Sequence, residues 1–364
     1  MWYKAFMRRI VLWQPVHSPH QFALINALSR HEGQYDVVLV VSREVGEMRA
    51  GLNWGTEKYE HVQVHQAPSP AEIDLLVKHH PTESVHIFSG LEADAIGKAA
   101  LNACIRHGAK VAIMAESPTH QGPTLKGLAT RVKYARLAVR YRRFISHLFT
   151  IGAATPRFYE SVGFKGVRMV PFGYYIDHPR RTPAPREGNT VRLLFVGRAS
   201  PAKGGELLLN ALAQVSGDWH LTLVTQGPER PTWETQVSRL GLSDRVQFTD
   251  FEANEQVQQR MANSDLLILP NTGKEGWGAV VNEALLQGTP VLCTTWTGAQ
   301  DLVRAAPGGG KVVKPQLEDL KLGLQAFVDQ GPRTSEMRAT TSSWAQETIS
   351  GAAAADLMVK SLLT

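Results

Sequence analysis

Short apolar runs alternate with amphipathic stretches along nearly the whole chain, and this alternation restricts the fold more than any other feature. In the first half, Arg9–Trp13, Asp36–Val41, Val85–Phe88, Lys110–Met114 and His147–Ile151 read as strands, each short, apolar and mostly flanked by polar residues, Gly or Pro. Helical periodicity lies between them, over Pro19–Ser29, Pro70–His79, Ala93–His107 and Leu125–Ser146. The second half repeats the scheme. Its strands are Val191–Val196, His220–Thr225, Val246–Thr249, Leu266–Leu269 and Pro290–Cys293. Its helices are Gly204–Val215, Thr232–Leu240, Asn254–Ala262, Gly278–Gln287 and Leu317–Gln330. Strand and helix in strict alternation predict an α/β protein with parallel sheets covered on both faces.

At about 150 residues per domain, 364 residues make two domains. The segment DHPRRTPAPREGNT, Asp177–Thr190, is rich in Pro and Arg, lacks apolar periodicity and reads as the linker between them. The expected division is residues 1–177, a linker over 178–190, residues 191–342, and a closing helix over 343–364 packing back on the first domain. Two doubly wound halves place a ligand cleft between them, at the carboxyl ends of both sheets.

Bulk composition excludes several classes. With 43% hydrophobic and 20% charged residues, the chain is neither disordered, collagen-like nor a disulfide miniprotein. Its two cysteines, Cys104 and Cys293, lie far apart in apolar runs and supply no zinc cluster or disulfide framework, which points to a reducing cytoplasm. No run approaches the ~20 apolar residues of a spanning helix. The start, MWYKAFMRRIVLW, lacks the pattern of a signal peptide, and Met7 is an alternative start.

Two motifs carry chemistry. In KEGWGAVVNEALLQGTP, Lys274–Pro290, Gly276 and Gly278 free the backbone before a helix expected to begin near Trp277. A helix N-terminus offers N–H groups and positive dipole to a diphosphate. Glu275, just before the helix, can reach a sugar hydroxyl, and Glu283, two turns on, can accept from a ribose diol. One capping and one surface Glu would give the same spacing. In LLFVGRASPAKGGELLLNAL, Leu193–Leu212, a strand ends at Gly197, and Arg198 and Lys203 precede a helix. A guanidinium fork and a movable ammonium suit a diphosphate, although two solvated cations on a loop fit as well. No Walker loop is present.

In the order VGRASPAKG, LVTQGPE, VQFTDF, SDLLILP, EGWGAVVNEALLQGTPV and TGAQDLV, the chain resembles the C-terminal half of retaining glycosyltransferases of the GT-B architecture. The resemblance is in particular to glycosyltransferase family 4, the glycosyl transferases group 1, from Val191 to about Phe327. It implies two Rossmann-like domains facing a central cleft and a hexose donor that is a UDP- or GDP-linked sugar. It also implies a glycan or lipid-linked acceptor in cell-surface polysaccharide or lipopolysaccharide synthesis, with neither metal nor cofactor. Carried over by motif, Glu275 touches the donor sugar, Glu283 the ribose, and Arg198 and Lys203 the diphosphate. The backbone of Gly276, Trp277, Gly278, Ala279 and Val280 faces the donor. Gly197, Gly227, Thr249 and Phe251 sit at strand ends, the last three flanking the base. Departure of the diphosphate through an oxocarbenium-like state would then be helped by the two cations. A nucleotide-sugar epimerase or hydrolase, or a non-catalytic binding protein, would share this half.

The N-terminal half matches less closely. Where the family often has a glycine-rich loop after the first strand, this chain has PVHSPHQF. His17 or His20 is a cleft candidate there, and Ser18 can cap the helix from Pro19. In MAESPTHQG, Glu116 ends the fourth strand and is the candidate for orienting or deprotonating an acceptor hydroxyl, with His120 as the alternative. A Glu paired to a neighbouring cation would look alike.

Charge is uneven. Residues 1–177 carry 21 cations and 14 anions, residues 178–364 carry 18 and 19, and the whole chain has a net charge of +6. No acid occurs between Glu116 and Glu160. Projected as a helix over Leu125–Leu148, one apolar stripe is Leu125, Leu128, Val132, Ala135 and Val139, and a second is Tyr134, Leu137, Tyr141, Ile145 and Leu148. Lys126, Lys133 and Arg140 recur every seven residues between them. One stripe packs on its domain and the other, with Tyr134, Tyr141 and cations, is expected to meet an anionic bilayer at the cytoplasmic face. Packing on both sides with solvated cations fits the same pattern. Nucleic acid is not expected, because no binding module accompanies the charge.

Overall fold

The computed structural model describes residues 7–43, 58–185 and 188–364. These form two units, one of residues 1–177 with 349–364 and one of residues 178–348. In the first unit, seven strands run β1 (Arg9–Gln14), β2 (Asp36–Val41), β3 (Val62–Gln66), β4 (Ser84–Ser89), β5 (Lys110–Glu116), β6 (Ile145–Ile151) and β7 (Arg168–Phe172). They lie in the order β3-β2-β1-β4-β5-β6-β7, and every pair is parallel. The connecting helices are α1 (Pro19–Ser29), α2 (Pro70–Lys78), α3 (Ala95–His107), α4 (Leu125–Tyr141) and α5 (Thr155–Ser161).

The second unit orders its six strands β10-β9-β8-β11-β12-β13, again all parallel. These are β8 (Val191–Val196), β9 (Trp219–Val224), β10 (Val246–Thr249), β11 (Leu266–Leu269), β12 (Val291–Thr294) and β13 (Gly310–Val313). Its helices are α6 (Gly205–Leu212), α7 (Arg230–Arg239), α8 (Asn254–Asn263), α9 (Val280–Leu286), α10 (Gln300–Ala305), α11 (Leu317–Gln330) and α12 (Ser335–Thr348). A last helix, α13 (Gly351–Leu362), returns to the first unit, where it packs on α1. Central strands such as β2 and β11 are apolar runs buried along nearly their whole length, as parallel sheets covered on both faces require.

All ten expected strands are present. Three further strands, β3, β7 and β13, are all edges. β3 is largely exposed, β7 contains Pro171, and β13 opens on Gly310, so none shows the continuous apolar signal of a central strand. Two helix ends also differ. α4 stops at Tyr141, residues Arg142–Phe144 make a 3-10 turn, and Ile145 and Leu148 belong to β6 instead. Both residues are buried and apolar, so helical and strand periodicity describe them equally well. The closing segment is two helices, because Ser350 caps α13 by accepting from Ala353 N. There the Gly351 N–H donates to Asp177 Oδ1 at 2.8 Å, and Gly351 lies so close to α1 that a Cβ would stand 2.4 Å from the Ala23 carbonyl oxygen. Ser18 holds the N-cap position of α1 without a side-chain capping bond.

The Pro-rich segment after Asp177 is extended and lies along the second unit. Arg181 N donates to Gln287 Oε1 at 2.7 Å, and Ala184 N to Asn263 Oδ1 at 2.8 Å. Both cysteines are free and buried, and burial pushes their thiols up. Among the described residues, no helix is long and apolar enough to cross a membrane.

Candidate functional site

In the second unit, the chain runs from β8 toward β9 and β10 on one side, and from β11 toward β12 and β13 on the other. The carboxyl ends of β8 and β11 therefore bound the topological switch point, where open α/β sheets leave a crevice. The loops that follow these strands are bonded together. Thr272 N donates to Ala202 O at 3.0 Å, Gly273 N to the same oxygen at 3.2 Å, and Thr272 Oγ1 to Pro201 O at 2.9 Å. Gly204 makes this approach possible: its φ is +70°, and a Cβ would stand 2.0 Å from Pro270 O. The loop after β9 joins them through Ala199 N, which donates to Gln226 O at 2.8 Å. Gly227, at φ +142°, leaves no room for a Cβ beside Ala199 O.

Lys203, in the 3-10 turn before α6, forms an ion pair with Glu275, and Asn271 Nδ2 donates to the same carboxylate at 3.4 Å. Both charged side chains remain partly open to solvent, at 30% and 23%. Glu275 is fixed by its backbone, which donates to Trp296 O at 3.0 Å and bridges Thr297. Arg198 follows Gly197 at the end of β8, is exposed, and has no ion-pair partner among the described residues. The loop of Gly276, Trp277 and Gly278 packs on residues 296–299, where a Cβ on Gly298 would collide with Gly276 O. The helix α9 starts at Val280, three residues later than the expected Trp277. The cause is that Trp277 is buried, its indole N–H donating to Asn282 Oδ1 at 2.8 Å and its carbonyl accepting from Ala299 N. Trp277 is thus a support of the loop, and Ala279 and Val280 form the turn into the helix.

Glu283, in the first turn of α9, has no hydrogen-bond or charge partner among the described residues, and burial pushes its carboxyl from the ordinary 4.5 up to about 7. The native state therefore keeps a proton that the unfolded chain has released between about pH 4.5 and 7, and the stability contributed at Glu283 falls as pH rises through that window. Glu283→Gln is expected to raise the thermal midpoint of this unit at pH 8 by about 2–8 °C. At pH 5 it should leave the midpoint unchanged. Differential scanning calorimetry at the two pH values checks both outcomes.

At the ends of β9 and β10, the Thr225 and Thr249 hydroxyls are buried without hydrogen-bond partners, and Phe251 beyond them is 45% exposed. In the first unit, Glu116 ends β5 and accepts from Tyr174 OH at 2.7 Å. The His20 ring lies 5.3 Å from the Tyr174 ring, so His20, Tyr174 and Glu116 form one chain of contacts at the carboxyl end of the sheet. His17 stacks on Tyr59 at 5.9 Å, outside that chain. His120 is exposed and joins neither group.

Residues 180–345 match the family of glycosyl transferases group 1. The chain is 33% identical over 171 residues to the 2-deoxystreptamine glucosyltransferase of Streptomyces kanamyceticus, covering 44% of this chain and 42% of that protein. The chain is also 30% identical over 192 residues to the phosphatidyl-myo-inositol mannosyltransferase of Mycobacterium leprae, covering half of each. The matched region thus spans half or less of these relatives. The fold of the whole chain is that of GT-B glycosyltransferases. The Anabaena HepE structure with UDP gives a TM-score of 0.73 at 19% identity, covering 97% of this chain and 99% of that one. The apo lipopolysaccharide outer core galactosyltransferase WaaB gives 0.70 at 14%, with the same coverage.

Within the segment that matches glycosyl transferases group 1, the sequence reading named Thr249 but missed Asn271, a lone amide after a strand end, and the orphaned Thr225 hydroxyl. In the other unit it missed Tyr174, whose tandem tyrosines in FGYYID were the available signal. It also misassigned the two α4 tyrosines. Tyr141 is buried, its hydroxyl donating to Glu92 at 2.6 Å, and Tyr134 packs edge-on against Phe158 and Tyr159. The tyrosine stripe is the packed side of α4, while Lys126, Lys133 and Arg140 remain exposed. Among the described residues, no three His, Cys, Asp or Glu side chains gather as a metal site.

Proposed function

We propose that this chain is a retaining, metal-independent glycosyltransferase that moves a hexose from a nucleotide diphosphate sugar to a glycan or lipid-linked acceptor, in cell-surface polysaccharide or lipopolysaccharide synthesis. The observation that carries the reading is the Lys203–Glu275 pair, held by interlocked loops at the switch point of a glycosyl transferases group 1 segment. In this reading, Lys203 lies between the carboxylate that takes the sugar hydroxyls and the diphosphate that leaves. Arg198 supplies a second cation with no acid partner among the described residues. The cations stabilise charge that grows on the leaving diphosphate as the sugar becomes oxocarbenium-like. Glu283 is a partly buried carboxyl without a partner among the described residues, and a ribose diol would supply the missing donors. Thr225, Thr249 and Phe251 give the base two hydroxyls and an aromatic face. Tyr174 orients Glu116 for work on an acceptor hydroxyl.

Solved neighbours of this fold hold UDP and UDP-glucose, so uridine diphosphate sugars are the donors favoured here, with guanosine diphosphate sugars second. A thermal-shift series with UDP, GDP, ADP and their sugars tests the reading. UDP at 100 times its Kd is expected to stabilise the second unit by about 2.7 kcal/mol. Absence of a shift with every diphosphate overturns the reading. Donor consumption that needs no acceptor supports an epimerase or hydrolase instead.

A further inference from the structure

Among the described residues, Trp296 is the one exposed tryptophan. Trp13, Trp219, Trp233 and Trp277 are buried and Trp344 is partly so, whereas Trp296 is 46% exposed. It stands where the chain leaves the carboxyl end of β12. Thr297 N donates to Thr294 O at 3.0 Å and closes a tight turn with Thr295 and Trp296 at its corners. The turn is held on both sides. Toward the loop after β11, Trp296 O accepts from Glu275 N at 3.0 Å, and toward β13, Thr295 N donates to Val313 O at 2.9 Å. Inside it, Trp296 N donates to Thr294 Oγ1 at 3.4 Å, and that hydroxyl donates to Asn271 O at 2.7 Å. Thr297 is fully buried, so the turn packs its last residue inward and leaves the indole of Trp296 outside. Among the described residues that indole has no aromatic ring against it.

We propose that Trp296 is a specificity-determining residue for the donor hexose, its indole packing on the C–H face at the C4–C6 end of the ring whose hydroxyls Glu275 takes. The inference rests on the donor reading above. A lone exposed tryptophan elsewhere would need no explanation. This one is hydrogen-bonded through its backbone to the carboxylate residue of the Lys203–Glu275 pair. Strand order supplies the layout. Along β10-β9-β8-β11-β12, the base groups Thr249 and Thr225 come first, then Lys203 after β8, Glu275 after β11 and Trp296 after β12. A donor laid along these strand ends has its anomeric carbon beside the diphosphate, on the β8 side, and its C4–C6 end toward β12. An acceptor attacks the anomeric carbon, on the side away from Trp296, so the indole takes the donor ring. A pyranose has hydroxyl edges and apolar C–H faces, and an aromatic face suits the latter while the indole N–H can donate to a ring hydroxyl. Because the turn is already fixed, little backbone freedom is lost when the ring binds. C4 is where glucose and galactose differ, so contact at this end discriminates between hexoses.

The test is isothermal titration calorimetry of the full chain with UDP, UDP-glucose and UDP-galactose, and with GDP and GDP-mannose. Trp296→Ala is expected to weaken the sugar nucleotide that wild type binds best by about 10-fold, and its parent diphosphate by less than about 2-fold. Trp296→Phe, which keeps an aromatic face, should stay within about 3-fold of wild type for both. The thermal midpoint without ligand should be the same in all three proteins, since the indole is exposed. Equal weakening of sugar nucleotide and parent diphosphate in Trp296→Ala overturns the proposal, because it marks a structural role for the turn. Unchanged affinity for both overturns it as well, and a raised acceptor KM in that case moves the indole to the acceptor. A loss in Trp296→Phe as large as in Trp296→Ala also overturns it. If wild type binds none of the five ligands, the donor reading itself fails and the proposal falls with it.

Discussion

Replacing Lys203 by alanine is expected to lower sugar transfer about 100-fold or more, and Arg198→Ala to do the same. The effect should fall mainly on kcat. Negative charge on the diphosphate grows as the glycosidic bond breaks, so a cation placed there stabilises the transition state more than the bound donor. Losing Lys203 has a second consequence, because its partner Glu275 would face the same phosphates without neutralisation. Arg198 has no acid partner among the described residues, so Arg198→Ala removes charge stabilisation alone. Steady-state transfer with the donor that gives the largest thermal shift measures both. Near-normal rates in both variants, with intact thermal midpoints, would remove these cations from the chemistry.

Arg338→Ala is expected to destabilise the second unit by about 3–5 kcal/mol, the typical consequence of breaking a buried ion pair from one side. Arg338 lies on α12 with its side chain 5% exposed, and Asp265, beside the start of β11, is 2% exposed. Arg338 Nη2 donates to Asp265 Oδ1 at 2.9 Å and Nη1 to Thr289 Oγ1 at 3.3 Å. Asp265 also accepts from the backbone N–H groups of Arg192 and Arg333, both at 2.9 Å. One carboxylate thus holds the first strand, the fourth strand and the last helix of this unit in place. Removing the guanidinium leaves a buried carboxylate that has lost the cation paired with it. Urea titration followed by fluorescence should show the transition of the second unit moving to lower denaturant. Arg338→Met/Asp265→Leu, which removes both charges, should recover much of the loss.

The residues on which these predictions rest differ in how readily the sequence disclosed them. Lys203 and Glu275 stand in motifs that follow strand ends, and their chemistry could be read from residue type and position. Arg338 sits in a helix with no distinctive signal, and its partner is 73 residues away. The same contrast holds for the strands. Central strands such as β2 and β11 are continuous apolar runs and were legible at once. The edges β3, β7 and β13 are half-solvated or carry Pro or Gly, and their pairing is supplied by a neighbour that local sequence does not contain.

The basic stretch shows the division most clearly. The sequence by itself determined that α4 carries two apolar stripes with cations between them, because helical periodicity is a local property. It could not determine which stripe faces the domain, and the expectation that the tyrosines face outward was reversed. Tertiary packing decided it: Glu92, Phe158 and Tyr159 give the tyrosines hydrogen-bonding and aromatic partners, and nothing among the described residues covers Leu125, Leu128, Val132 and Val139. Likewise, the sequence determined the alternation that forces parallel sheets and the charged residues at their strand ends. Only the tertiary structure placed β8 beside β11, and so joined Lys203 to Glu275 across 72 residues. Periodicity is set by neighbours three and four positions away, whereas strand order and ion pairing are set by residues that meet only when the chain has folded.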